Sequence, residues 1–262
     1  MRRLYWSELK TTDFAGLDPE RTIVVWPIAA TEQHGPHLPV ATDTAIADGM
    51  VAEVKARLPD DLSILILPTQ AIGKSNEHLR SPGTITLSAE TALRAWVEIG
   101  EAVHRAGLRK LVMVNSHGGN VDLIGIVARE LRVRFGMLVV SCAWSRFGRP
   151  PGLYTDEELA VGIHAGDIET SLMLHFRPDL VDMGKAENFV PSSVEIAREF
   201  DLLRPTGFTA FGWIAPDLHP SGAAGDASRA TAEKGRLTAE HAADAFIRLL
   251  RDVTRFGLDR LA

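Results

Sequence analysis

At 262 residues the chain can bury a full hydrophobic core, as one large domain or two small ones. Its 45% hydrophobic and 24% charged content is ordinary for a globular protein, and a net charge of -6 without a dense Lys/Arg run argues against a nucleic-acid or anionic-membrane surface. One cysteine, Cys142, excludes an internal disulfide framework and a Cys-rich zinc module; in the apolar run Met137–Cys142 it reads as a structural thiol.

Apolar strand candidates alternate with helical patterns along the chain. The run at 22–29 precedes a helix from about Asp43 to Leu58, and Leu62–Pro68 precedes one from Ala89 to Ala106. Lys110–Asn115 leads into a helix from Val121 to Phe135, and Met137–Ala143 makes a fourth strand. Short apolar strands separated by helices predict a mainly parallel sheet covered on both faces, a three-layer α/β/α sandwich. Beyond it, Ala165–Phe176 reads as a helix, residues 177–228 as long surface loops, and Ser228–Phe256 as a final helix. Residues 1–262 are treated as one domain. The N-terminus lacks the apolar stretch of a signal peptide and no run approaches the ~20 residues of a membrane span, so a soluble cytoplasmic protein is expected.

In such a sheet the active site lies beyond the carboxyl ends of the strands. Here those ends run into polar, glycine-bearing loops. The first, Glu32-Gln33-His34-Gly35-Pro36-His37, is followed by Asp43 in the first helical turn. Glu32 and His34, two apart in extended chain, can face one ion together. Carboxylates with imidazoles suit a Zn or Mn hydrolase centre, although the same residues also suit a polar loop capped by Thr42 or Asp43. His37 is placed either to bind metal or to orient a ligand. The second loop, Asn115-Ser116-His117-Gly118-Gly119-Asn120, puts His117 at a strand end, with Asn120 as a candidate cap of the next helix. The third stretch carries His164 and Glu169 into an apolar helix, where an unpaired charge would be costly; Asp167 and Glu169 also suit plain complementation of the helix dipole. A fourth loop, Ser75-Asn76-Glu77-His78, reads as solvated when taken alone. His104, His175 and His241 lie in predicted helices and receive no role. Carboxylates and imidazoles on three loops imply a two-metal centre.

The segments Thr31–Pro39 with Asp43, Ser81–Thr84, Asn115–Asn120, His164–Gly166 with Glu169–Ser171, and Ala230–Gly235 resemble the creatininase (creatinine amidohydrolase) family across most of the chain. That resemblance implies an α/β/α fold, two divalent ions (Zn and/or Mn, with Fe possible), hydrolysis of small amide C–N bonds and a homo-oligomer, frequently a hexamer. Carried over by position, Glu32, His34, Asp43 and His117 are implied metal ligands, with Asp43 bridging, and His164 the proton-transfer residue. Creatininase has a Tyr-Glu pair after its motif histidine, the glutamate being a ligand, where this chain has Gly118 and Gly119. It also has a tryptophan shortly before the catalytic histidine, where this chain has Ala160. Glu169 is therefore the candidate for the missing ligand, and creatinine is not the expected substrate. Glu77, His78, Gly118 and Trp144 are expected to shape a substrate pocket. The leading reading is hydrolysis of a small cyclic or N-acyl (formyl) amide. Within the family the alternatives are a formamide deformylase of pyrimidine biosynthesis and a peptidase of mycofactocin-type peptide-cofactor maturation. Outside catalysis, the alternative is a metal- or ligand-binding protein.

Overall fold

The computed structural model describes residues 3–261. Four parallel strands form the central sheet in the order β2-β1-β3-β4: β1 Ile23–Ile28, β2 Ile64–Ile66, β3 Lys110–Asn115 and β4 Leu138–Ala143. Between them run α1 (Thr42–Arg57), α2 (Ala89–Arg105) and α3 (Val121–Phe135). β1 and β3 lie side by side in register from Ile23 opposite Lys110 to Ile28 opposite Asn115. Both are buried along their whole length, which explains why they read as continuous apolar runs instead of alternating ones.

The pleat sorts these strands between two cores. Ile23, Val25, Val112 and Val114 join Ile46 and Met50 of α1 with Leu172, Phe246 and Leu250. Val24, Trp26, Ile28, Leu111 and Met113 pack against Trp96 of α2 and Ile124 and Val127 of α3 on the other face. The first core is closed by α5 (Asp167–Phe176) and the 24-residue α8 (Ala232–Arg255), so the three-layer expectation holds. Ser88 caps α2 by accepting from Thr91 N–H, Thr231 caps α8 by accepting from Lys234 N–H, and α3 stops at Gly136 in the left-handed region.

The stretch expected to be surface loop is partly structural. It holds α6 (Ser193–Glu199), α7 (Ala215–Leu218) and a two-stranded antiparallel pair, β5 (Asn188–Phe189) with β6 (Gly225–Asp226). Phe189, Ala223 and Ala224 are buried, and Ala224 exchanges backbone hydrogen bonds with His164 (N–H to His164 O 2.7 Å, His164 N–H to Ala224 O 3.2 Å). The small Ala-Ala-Gly run allows this close approach, and such a run carries no periodicity to announce it. A further short helix, α4 (Asp156–Val161), capped by Thr155, was too brief to show a pattern.

Candidate metal centre

From β1 the chain continues through α1 to β2 on one side, and from β3 through α3 to β4 on the other. The crevice where these paths diverge is the topological switch point, and it opens at the carboxyl ends of β1 and β3. Glu32 and His34 follow β1, Asp43 comes from the first turn of α1, His117 follows β3, and Glu169 from the first turn of α5 completes the group. His34 Nε2 lies 3.6 Å from Asp43 Oδ1 and 3.9 Å from Glu169 Oε2. His117 Nδ1 lies 3.5 Å from Asp43 Oδ2 and 3.1 Å from Glu32 Oε1. The two oxygens of Asp43 thus face two different histidines.

Most of these separations are long for hydrogen bonds. They approach the edge of a coordination polyhedron with ~2.1 Å metal–ligand bonds, roughly 3.0–3.4 Å. Glu32 Oε1 and Oε2, His34 Nε2 and Asp43 Oδ2 are all buried without a hydrogen-bond partner among the described residues. Buried carboxylate oxygens and a ring nitrogen without partners, concentrated in one spot, are costly unless a cation joins them, so the donor set fits divalent ions. The triads His34–Asp43–Glu169, Glu32–Glu77–His117 and Glu32–His34–His164 are each compact enough for one ion.

Protonation follows the same geometry. Burial opposes a charge on His34, yet Asp43, Glu169 and Glu32 push its pKa up to about 9. Burial likewise opposes His117, and Glu32, Glu77 and Asp43 raise it well above the usual imidazole range. Burial disfavours the charged form of Glu32, but His117, His164 and His34 hold its carboxyl well below the ordinary value. Burial raises Glu169 to about 7. Protons therefore sit on the nitrogens a metal would take, and ion binding must displace them. His164 differs: burial and the neighbouring His34 charge drive its pKa well down, so it stays neutral.

Behind the cluster each ring is held by its outer nitrogen. His34 Nδ1–H donates to Glu32 O at 3.1 Å, leaving Nε2 inward. His117 Nε2 meets Lys74 O at 3.0 Å and Glu77 Oε1 at 3.3 Å, leaving Nδ1 inward. His164 Nε2–H donates to Gln33 O at 2.7 Å, and its Nδ1 looks toward Glu32 at 3.8 Å. His37, buried, meets Thr170 Oγ1 at 2.9 Å and belongs to none of the triads.

A cavity of about 430 Å³ opens from the cluster, lined by His117, Gly118, Trp144, Arg149, His164 and Glu169 among others. Gly118 and Trp144 lie on that lining. Glu77 and His78 are not on that lining: Glu77 backs His117, and His78, buried, faces Glu32 Oε1 at 3.4 Å. The solvated reading of their loop is thereby corrected, since Ser75 is fully buried beside His117. Asn120 does not cap α3 with its side chain. It accepts from Lys74 N–H at 2.9 Å and donates to Ala29 O at 3.0 Å, tying three loops together. At Gly119 a side chain would collide with Lys74 O and Glu77, so the position cannot supply a ligand.

Gln33, given no role by the sequence reading, is the main omission. Its amide donates to His78 Nδ1 at 2.8 Å and to Gly222 O at 2.9 Å, and its carbonyl oxygen accepts from Gly35 N–H at 2.9 Å. Its place between two ligand candidates was the available signal.

The family model for creatininase, creatinine amidohydrolase, matches residues 7–250. The chain belongs to the creatininase family. A mycofactocin precursor peptide peptidase of Mycobacterium ulcerans is 34% identical to it over 93% of this chain and 91% of its own. A creatinine amidohydrolase of Pseudomonas putida is 30% identical over 72% and 76%. Among solved structures, a zinc–zinc form of a creatininase variant superposes with a TM-score of 0.76 at 25% identity, over 98% of this chain and 100% of that one. As a creatininase-family hydrolase, this chain carries clusters of metal-ligating side chains at the crevice described above. None of its described helices is long and apolar enough to cross a membrane.

Proposed function

We propose that residues 1–262 act as one binuclear metal-dependent amidohydrolase domain that cleaves the C–N bond of a small cyclic or N-acyl amide. The observation that carries this reading is Asp43, whose two oxygens face His34 Nε2 and His117 Nδ1 at 3.6 and 3.5 Å, as a bridging carboxylate would. His34, Asp43 and Glu169 would hold one ion; Glu32, His117 and Asp43 the other. Bound there, zinc or manganese supplies an activated water and polarises the carbonyl oxygen. His164 has one nitrogen committed to Gln33 O, so Nδ1 is free to take a proton from the water. It would take that proton as the new C–O bond forms and deliver it to the leaving nitrogen as the C–N bond breaks. Gln33 and Glu77 keep the imidazoles oriented.

A peptide amide is the second reading, favoured by the extent of identity to a relative named as a precursor-peptide peptidase. Elemental analysis of gently purified protein, alongside turnover of a panel of cyclic amides, N-formyl amides and peptides, tests both. Roughly two divalent ions per chain are expected. Creatinine should be a poor substrate, because Gly119 and Ala160 stand where creatininase has a ligand and an aromatic face. Protein that takes up neither Zn²⁺ nor Mn²⁺ on soaking would falsify the metallohydrolase reading.

A further inference from the structure

The lining of this cavity carries polar groups that the hydrolytic machinery leaves unused. Ser116 Oγ, Trp144 Nε1 and Arg149 Nε are buried without a hydrogen-bond partner among the described residues, and all three residues line this cavity. Two are obligate donors and the third can donate, so a ligand with acceptor oxygens would satisfy them. Arg149 is the decisive member. It sits in the turn Gly148-Arg149-Pro150-Pro151, where Gly148 has φ +81° and the two prolines restrict the backbone after it.

The nearest acids do not satisfy Arg149. None of the ion pairs among the described residues involves it. Glu158, also on the lining, is buried and accepts from Asp226 N–H at 3.0 Å. Glu169 is directed to Ala165 N–H at 2.6 Å and toward His34. Burial lowers the pKa of the guanidinium, and Tyr154, Glu158 and Glu169 offset this only in part, yet an arginine keeps its charge. A partly buried guanidinium with an unpaired Nε, in a cavity that also reaches the metal ligands, suits a planar anion.

We propose that Arg149 binds a carboxylate of the substrate, which makes the substrate class N-acyl amino acids or peptides cleaved near a free carboxyl end. This rests on the hydrolase reading above and narrows it: one end of the substrate offers the scissile amide to the ions, and the other offers a carboxylate to Arg149. Cyclic amides without an acidic group are then disfavoured.

The test uses a matched pair of probes, N-acetyl-L-alanine and the neutral N-acetyl-L-alaninamide, titrated into metal-loaded protein by calorimetry. The wild type should bind the carboxylate roughly 10- to 100-fold more tightly, as a charge-assisted hydrogen-bonded pair warrants. Arg149→Met should erase that preference with metal content and circular dichroism unchanged, and Arg149→Lys should restore part of it. Repeating the titration after chelation separates Arg149 from the ions as the carboxylate's partner. Equal or absent binding of the two probes by the wild type overturns the proposal. So does a preference that survives in Arg149→Met, which would put the carboxylate on the ions, or a change of oligomeric state in that variant with probe affinity intact. Should either replacement fail to fold, Arg149→Gln carries the same comparison. Protein that binds the carboxylate probe through Arg149 but hydrolyses no amide keeps the carboxylate site and removes the hydrolase reading, and with it the substrate class.

Discussion

The two ends of β3 bury polar groups in opposite ways. At its start, Lys110 is 1% exposed, and its ammonium donates to Val253 O at 3.0 Å, Thr254 O at 3.2 Å and Phe256 O at 2.8 Å. These carbonyls close the C-terminal end of α8, where a cation also complements the helix dipole. The lysine completes the fold and leaves nothing over. At the other end, His117 joins Glu32, His34 and Asp43, whose inward atoms are left without partners. Both ends are buried, so burial alone does not separate structure from function. Completeness of the hydrogen bonding does.

The largest expected effect falls on the incomplete end. His164→Ala should lower turnover by roughly 10²–10⁴-fold, the usual worth of a positioned proton-transfer group. Both ions should stay bound, because the remaining ligands need no contact from it. Elemental analysis beside single-turnover rates checks this. Loss of an ion in His164→Ala would make that residue a ligand of the Glu32–His34–His164 triad.

Next comes the complete end. Lys110→Met should destabilise the protein by about 3 kcal/mol, since it strands carbonyls that were paired with a charge. Chemical denaturation of the metal-loaded protein measures this, and hydrolysis at a temperature where the variant is folded should be unchanged. A stability within experimental error of wild type would show that water replaces the ammonium freely. The distinction drawn here between the two ends would then fail.

Glu169→Gln sharpens the incomplete end further. It removes one anionic ligand from the His34–Asp43–Glu169 group only, so affinity for one ion should fall, by about 10–100-fold on the scale of losses around metal sites. The second ion should remain. Metal-competition titrations resolve the two. Two ions at wild-type affinity would return the ligand search to Glu77, which already backs His117. The pH dependence has a definite sign. His34, raised to about 9, and Glu169, raised to about 7, hold protons that an ion must displace, so apparent affinity weakens as pH falls through this range.

Much of the scaffold was legible because its code is local. The bounds of β3 and α3 match the sequence reading, for apolar runs and glycine stops are written along the chain. The gathering of Glu32, His34, Asp43 and His117 was legible too, since parallel strands bring their carboxyl ends to one edge, whereas Glu169 entered through the family resemblance. Three-dimensional complements were not. Nothing in Ser75–His78 announces that Ser75 is buried behind His117, because its satisfaction depends on groups some 40 residues away, such as His117 itself. Ala224 reads as loop because what holds it is its backbone exchange with His164, not periodicity. Arg149 received no role from the sequence, because only the folded chain places it on the lining of the cavity.

The smallest expected effect concerns Ala165, the one non-glycine residue with positive φ (+54°) among those described. It lies between His164 and α5, fully buried, and its N–H holds Glu169 Oε2 at 2.6 Å. A left-handed conformation costs an L-residue roughly 1–2 kcal/mol, which Ala165→Gly would remove. Against this, glycine loses about 0.5–1 kcal/mol through unfolded-state freedom and about 0.8 kcal/mol with the buried methyl. The terms nearly cancel, so stability should change by less than about 1 kcal/mol. Turnover should still fall several-fold, because the alanine holds the backbone that aims both His164 and Glu169, and small misplacement of reacting groups is expensive. Denaturation and kcat measured on the same preparation separate the two effects. If glycine raises stability by more than about 2 kcal/mol with kcat intact, the strained alanine is incidental to the site. The expected pattern, unchanged stability with slower turnover, would mean that the backbone here is held for the side chains on either side of it.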